Sequence, residues 1–160
     1  MHNLASRSLN YSTRTTRTTR TTRTVQLLEA TLSAQVLAAF FKVYRELGYG
    51  FLEAVYVNAL FVELTKRGIE VRREVLIEVM YQGVPVGTYR IDLLVSNRIM
   101  LEVKSTKTII DADERQLLNY LKATTIEVGF LLHFGPEPHF RRRILTNDRK
   151  WHGEVSESSV

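Results

Sequence analysis

Three residues in the middle of the chain have the types and spacing to act on a phosphate. Asp92, Glu102 and Lys104 sit in YRIDLLVSNRIMLEVK, residues 89–104. Two carboxylates completed by water make an all-oxygen site, which suits Mg²⁺ or Mn²⁺. Such an ion polarises a phosphoryl oxygen and makes a bound water more acidic. A lysine two residues beyond a metal-binding glutamate can hold the attacking water or stabilise the charge developing on phosphate. Taken alone, the same three residues also read as an ion pair on the wet face of a hairpin, because exposed charge needs no functional explanation.

The strands that carry these residues decide whether they meet. Alternation in IMLEVK (99–104) sets Ile99, Leu101 and Val103 on one face and Met100, Glu102 and Lys104 on the other. In the preceding strand Ile91, Leu93 and Val95 share a face and Asp92 points opposite. The short break Ser96-Asn97-Arg98 makes the two strands antiparallel neighbours, with opposed residues about 5 Å apart. For Asp92 and Glu102 to share a face, paired residue numbers must sum to an even number, about 194. That requires an odd-length loop or a bulge, and Asn97 is the natural residue for a left-handed conformation there.

The rest of the chain supplies a frame. Leu28, Leu32, Val36, Ala39/Phe40 and Val43 recur at helical spacing over 25–47, and Gly48-Tyr49-Gly50 breaks the pattern. A second helix is predicted over 51–67, with Leu52, Val55/Tyr56, Ala59/Leu60 and Leu64 on one side and Gly68 as its stop. The period then drops to two. Strands are predicted over 69–81 and 86–95 around a Gln82-Gly83 turn, then over 99–104. A helix over 111–123 opens on acids that suit a helix N-terminus. The apolar run 126–134 reads as a central strand, and FRRRIL (140–145) as an edge strand. The order α-α-β-β-β-α-β, with one further strand, predicts an α/β (α+β) fold with a mixed sheet flanked by helices.

Two further pairs lie near the ends of predicted helices. Glu53 and Tyr56, three apart within GFLEAVY (50–56), share a helix face, as do Gln116 and Tyr120, four apart. Each has an ordinary explanation, a dipole-complementing acid in the first case and a solvated pair in the second. With ELGYGFLEAVY, YRIDLLV, LEVKS, QLLNYLKAT and GFLLHFG, however, they form a recognisable set. From about Leu32 to Ile144 the chain resembles the GxxExxY proteins, a bacterial and archaeal group named for a signature that Gly50, Glu53 and Tyr56 match. That group resembles a branch of the PD-(D/E)XK, or restriction-endonuclease-like, superfamily. The resemblance implies that Asp92, Glu102 and Glu53 hold a divalent metal and that Lys104 is the catalytic lysine. It also implies that Gln116 and Tyr120, similar to the Q-x-x-x-Y element of recombination exonucleases, orient Lys104 or a phosphate. The chain departs from the usual pattern at Tyr49 (for Pro), Tyr44 (for His), Asp113 (for His) and His133 (for Asn). None of these removes an expected metal ligand or the lysine.

Composition narrows the classes. The 160 residues suit one domain, expected over 25–150, with 44% hydrophobic and 24% charged residues. The absence of cysteine excludes disulfides, Cys-ligated zinc and a thiol nucleophile. The four histidines show no zinc spacing, Gly48-Tyr49-Gly50 is not followed by G-K-[ST], and there is no G-x-S-x-G. No apolar run reaches the roughly 20 residues of a membrane helix, and the N-terminus lacks a secretory core, so a cytoplasmic protein with no membrane partner is expected.

The net charge of +5 is carried by the N-terminus. Residues 1–24 hold five of the 22 basic residues and none of the 17 acids, so the remainder is balanced. STRTTRTTRTTRT (12–24) has no apolar face and is expected to be disordered, either as a phosphate-binding or targeting arm or as an unselected extension. Residues 151–160 are expected to fray. Arg141, Arg142 and Arg143 are candidates for phosphate contact or for protective charge on an edge strand. The function these readings favour is a Mg²⁺- or Mn²⁺-dependent nuclease acting on nucleic acid, with DNA favoured. The rival is a catalytically silent nuclease fold serving as a nucleic-acid-binding or protein-interaction scaffold. Oligomeric state stays open, a homodimer included.

Overall fold

A computed structural model describes residues 29–150, so the segments 1–24 and 151–160, expected to be disordered and frayed, lie outside the described residues. Helix α1 spans Ala30–Leu47 and buries Leu32, Val36, Ala39, Phe40 and Val43, the stripe set by their three- and four-residue spacing. It stops at Gly48, whose φ of 69° suits a residue without a Cβ. Helix α2 (Glu53–Lys66) buries Tyr56, Leu60 and Leu64. Leu52, expected to begin that stripe, precedes the helix instead and is exposed.

Strands β1 (Val71–Tyr81) and β2 (Val84–Val95) form a long hairpin. Gln82 and Gly83, the two residues between them, both have positive φ, as a tight two-residue hairpin turn requires. Strand β3 (Ile99–Lys104) pairs antiparallel with β2. Helix α3 (Asp111–Lys122) then crosses over to β4 (Val128–Phe134), which pairs parallel with β3. Strand β5 (Pro138–Ile144) pairs antiparallel with β4, followed by a short 3₁₀ turn at Asn147–Arg149. The five strands lie in the order β1-β2-β3-β4-β5, a mixed sheet with β5 on one edge and β4 inside, as the sequence suggests. This is the α-α-β-β-β-α-β-β order of a restriction-endonuclease-like α+β fold.

The register between β2 and β3 is the one that the site needs. Leu93 pairs with Leu101, Leu94 with Met100 and Val95 with Ile99. The three-residue loop uses positive φ at Asn97 (54°) and also at Ser96 (49°). One packing cluster, formed with α1 and α2, takes Leu93, Val95, Ile99, Leu101 and Val103. The other, formed with α3, takes Leu94, Met100, Leu117, Tyr120, Leu121 and Leu131.

One sequence expectation fails here. Ile91 does not pack with Leu93 and Val95 but joins the α3 cluster. The pleat is interrupted between Arg73↔Leu93 and Val75↔Ile91, where Glu74 adopts a φ of 52° and lies across from Asp92. A side-chain-bearing residue in the left-handed region turns its strand locally, so simple alternation does not carry through it.

Candidate active site

The site lies where β2 and β3 part. Their pairing ends at Leu93↔Leu101, one residue short of Asp92 and Glu102. Asp92 fills the gap itself, and its Oδ2 accepts a hydrogen bond from the Val103 backbone N–H at 2.8 Å. That bond satisfies a donor that the diverging strand leaves unpaired, and it fixes the carboxylate against β3. Glu102 is only 2% exposed, which overturns the reading of the motif as a solvated surface pair. Its Oε1 accepts from Lys104 Nζ at 2.9 Å, and its Oε2 is buried with no hydrogen-bond partner among the described residues.

Glu53 reaches the same place from the first turn of α2. Burial raises the Glu53 carboxyl pKa, Lys104 works against that, and Asp92 and Asp113 add to it. Burial raises Asp92 too, against the Val103 N–H and the charges of Lys104 and Arg90. Glu102 moves furthest. Burial, then the charge of Asp92, push it up to about 7 despite its bond to Lys104. Burial pulls Lys104 down, but its hydrogen bond to Glu102 and the surrounding acids leave it raised and firmly cationic. A buried carboxylate held this close to a second one is an environment short of positive charge.

Tyr120 is buried on α3, and its hydroxyl accepts a short hydrogen bond from Gln116 Nε2. Its pKa is raised by burial, and the charges of Glu102, Asp92 and Lys104 all reach it. Gln116 and Tyr120, expected to orient Lys104 or a phosphate, are joined to each other on α3. Lys104 is held by Glu102, and Gln116 holds Tyr120. Tyr56 acts as a staple beside the site. Its ring stacks on Phe134 at 4.2 Å, and its hydroxyl donates to Gly48 O and accepts from Phe51 N–H, closing the loop that presents Glu53.

Among the arginines of β5, Arg141 and Arg143 form ion pairs with Glu114 of α3. Their charge is therefore partly neutralised by the fold. Two contributors to the site were missed in the sequence. The Val103 N–H is backbone and leaves no trace in residue identity. Asp113 caps α3, accepting from the Ile110 N–H at 3.1 Å, and lends its charge to Glu53 and Lys104. Its place in an acid-rich first turn was the available signal.

A family model described as "PD-(D/E)XK nuclease superfamily" matches residues 30–144. The chain belongs to the PD-(D/E)XK nuclease superfamily. Its described helices and strands up to β5 fall within the match. Nucleases of this superfamily generally use divalent metals, and their fold is one that meets nucleic acid. No match is found among curated proteins. A solved structure described as "Crystal structure of SSO0001" is similar at 21% identity with a TM-score of 0.44, covering 61% of this chain and 52% of that one. The similarity thus spans about half of that chain.

The donor set suits a hard divalent cation. It is all oxygen, with a buried Glu102 oxygen lacking a partner and Asp92 beside it. No group of three or more His, Cys, Asp or Glu among the described residues is gathered as a complete cage. Two carboxylates completed by water is the arrangement that fits. No described helix is long and apolar enough to cross a membrane.

Proposed function

We propose that this chain is a divalent-metal-dependent nuclease of the GxxExxY branch, hydrolysing phosphodiester bonds in nucleic acid, with DNA favoured as substrate. The observation that carries this reading is the buried Glu102, with one oxygen on Lys104, the other without a partner, and Asp92 alongside. A buried acid pair of this kind is costly unless a cation occupies it.

In this reading Asp92 and Glu102 hold Mg²⁺ or Mn²⁺, and Glu53 contributes through water. The ion supplies charge neutralisation on the phosphate and a more acidic water. Lys104, fixed by Glu102, places a permanent cation where negative charge grows on the phosphate. Asp92, tied to β3 through Val103, keeps the two carboxylates at a set separation. Tyr120 accepts from Gln116, which leaves its own O–H to donate towards substrate or the acids.

The rival reading, a silent scaffold with the same fold, draws on the balanced charge of the domain. Degradation of single-stranded DNA, duplex DNA and RNA in Mg²⁺ or Mn²⁺ separates the two, with a chelator and Lys104→Ala as controls. The nuclease reading expects metal-dependent cleavage that Lys104→Ala abolishes while the protein stays folded. No cleavage of any of the three polymers in either metal would leave the scaffold reading standing.

A further inference from the structure

A cleft of about 830 Å³ opens between α2 and the β1–β2 hairpin, and its lining includes two of the candidate site acids, Glu53 and Asp92. The lining continues through Asn58 and Phe61 of α2, Arg72, Arg73 and Glu74 of β1 and Arg90 of β2. Arg73 pairs with Leu93 across the sheet, so it sits one residue along from Asp92 on the neighbouring strand.

The way Arg73 is held is informative. Its guanidinium lies over the Phe61 ring, 4.4 Å from the centroid, and its Nη1 donates to Asn58 Oδ1 at 2.6 Å. Asn58 and Phe61 are three apart on one face of α2. Both partners are uncharged, so the plane of the arginine is fixed while its charge and most of its five N–H donors remain available. That differs from Arg141 and Arg143, which Glu114 neutralises. Arg90 is bound only loosely to Glu74, at 3.6 Å with both side chains exposed, and its charge reaches Asp92.

We propose that this cleft is a phosphate-binding track, in which Arg73 and Arg90 grip the sugar–phosphate backbone of the nucleic-acid strand beside the bond presented to Asp92 and Glu102. The proposal rests on the reading of that centre as one that acts on nucleic acid. A planar, pre-oriented guanidinium matches a phosphate bidentately, and a cleft of about 830 Å³ is of the size that takes a small-molecule-sized group such as a nucleotide. The lining sets Arg72, Arg73 and Arg90 against Glu53, Glu74 and Asp92, so the positive charge that a phosphate meets is local to the arginines rather than spread over the cleft.

The test measures binding of a fluorescein-labelled mixed-sequence DNA, single-stranded and as duplex, to the full-length chain in a chelator across a salt series. Lys66→Gln, at the far end of α2, serves as a charge control. Arg73→Gln is expected to weaken binding by about three- to tenfold and to flatten the log K against log salt slope by roughly 0.7–0.9. Arg73→Lys keeps the charge and should retain the slope while losing part of the affinity. Arg90→Gln, which removes only a loose, exposed ion pair to Glu74, should shift both readouts in the same direction as Arg73→Gln, and Lys66→Gln should shift neither. The preferred form of DNA identifies the strand that the track takes. If Arg73→Gln and Arg90→Gln both bind with the parent's affinity and slope, or the parent binds neither form, the track is overturned. Metal-dependent cleavage is scored separately. Arginine-dependent binding without cleavage sinks the nuclease chemistry and leaves the track, whereas cleavage unaffected by either arginine variant sinks the track and leaves the chemistry.

Discussion

The two faces of the sheet are built differently. Among the described residues, the face under α1 and α2 packs a cluster of 18 buried residues, Phe40, Tyr56, Phe130 and Phe134 among them, whereas the face under α3 packs eight. Phe134 meets Phe40 edge-on at 4.9 Å and Tyr56 face-on at 4.2 Å, so the larger side behaves as a rigid aromatic block. The smaller side gives way, at the end of β3, to Glu102, Lys104 and Tyr120. The larger face supplies the stability against which the smaller face can hold unfavourable charge.

This contrast can be broken most forcefully in the aromatic block. Phe134→Ala should cost about 3–5 kcal/mol in urea unfolding, while Leu117→Ala on the α3 side should fall nearer the low end of the 2–5 kcal/mol range for buried leucines. Equal losses at the two positions would show that the faces contribute alike.

The next effect in size is electrostatic. Glu102 is raised from an ordinary glutamate value to about 7 in the folded chain, chiefly by burial and then by Asp92. Because the folded state holds that proton more tightly, the associated stability is fully present below about pH 4.5 and is lost as pH rises through about 7, an effect of about 3 kcal/mol. Asp92 and Glu53, shifted in the same direction, add to the trend. Without metal, melting temperature should therefore decline across this window from these acids, and Glu102→Gln should flatten the decline and match or exceed the parent above pH 7. An unchanged pH profile in Glu102→Gln would mean that the carboxylate is not under strain.

Smaller effects belong to the polar links on α3. Tyr120→Phe deletes the acceptor of Gln116 and should cost about 1 kcal/mol of stability, with a larger proportional loss in cleavage. Glu114→Gln weakens two partly exposed ion pairs with Arg141 and Arg143 and should cost no more than about 1 kcal/mol. A stability loss at Glu114 that exceeds the loss at Tyr120 would reverse the order proposed here.

Much of this architecture was legible in residue order. The apolar spacing of α1, the Gln82-Gly83 turn and the odd loop at Ser96-Asn97-Arg98 are local signals, and the last of these fixes the register that sets Asp92 beside Glu102. Ile91 was misplaced because the deciding feature is the left-handed Glu74 on another strand, at a residue type that gives no warning of it. The burial of Glu102 was not legible either. Its sequence neighbours are equally compatible with a wet face, and its burial arises from elements distant in the chain. The pairing of Arg141 and Arg143 with Glu114 likewise depends on a helix 29 residues away from Arg143 in sequence. The cleft arginine was overlooked because Phe61 and Asn58 become its partners only once α2 crosses β1.

The most direct test of the central claim, that Asp92 and Glu102 form a cation site, is the response of melting temperature to Mn²⁺ in the parent, Asp92→Asn and Glu102→Gln. The parent should gain stability from millimolar Mn²⁺, about 2.7 kcal/mol at a hundredfold excess over Kd. The gain should grow as pH rises through the acids' titration range, and each variant should gain far less. A parent whose melting temperature is indifferent to millimolar Mn²⁺ and Mg²⁺, as indifferent as both variants, would contradict that claim.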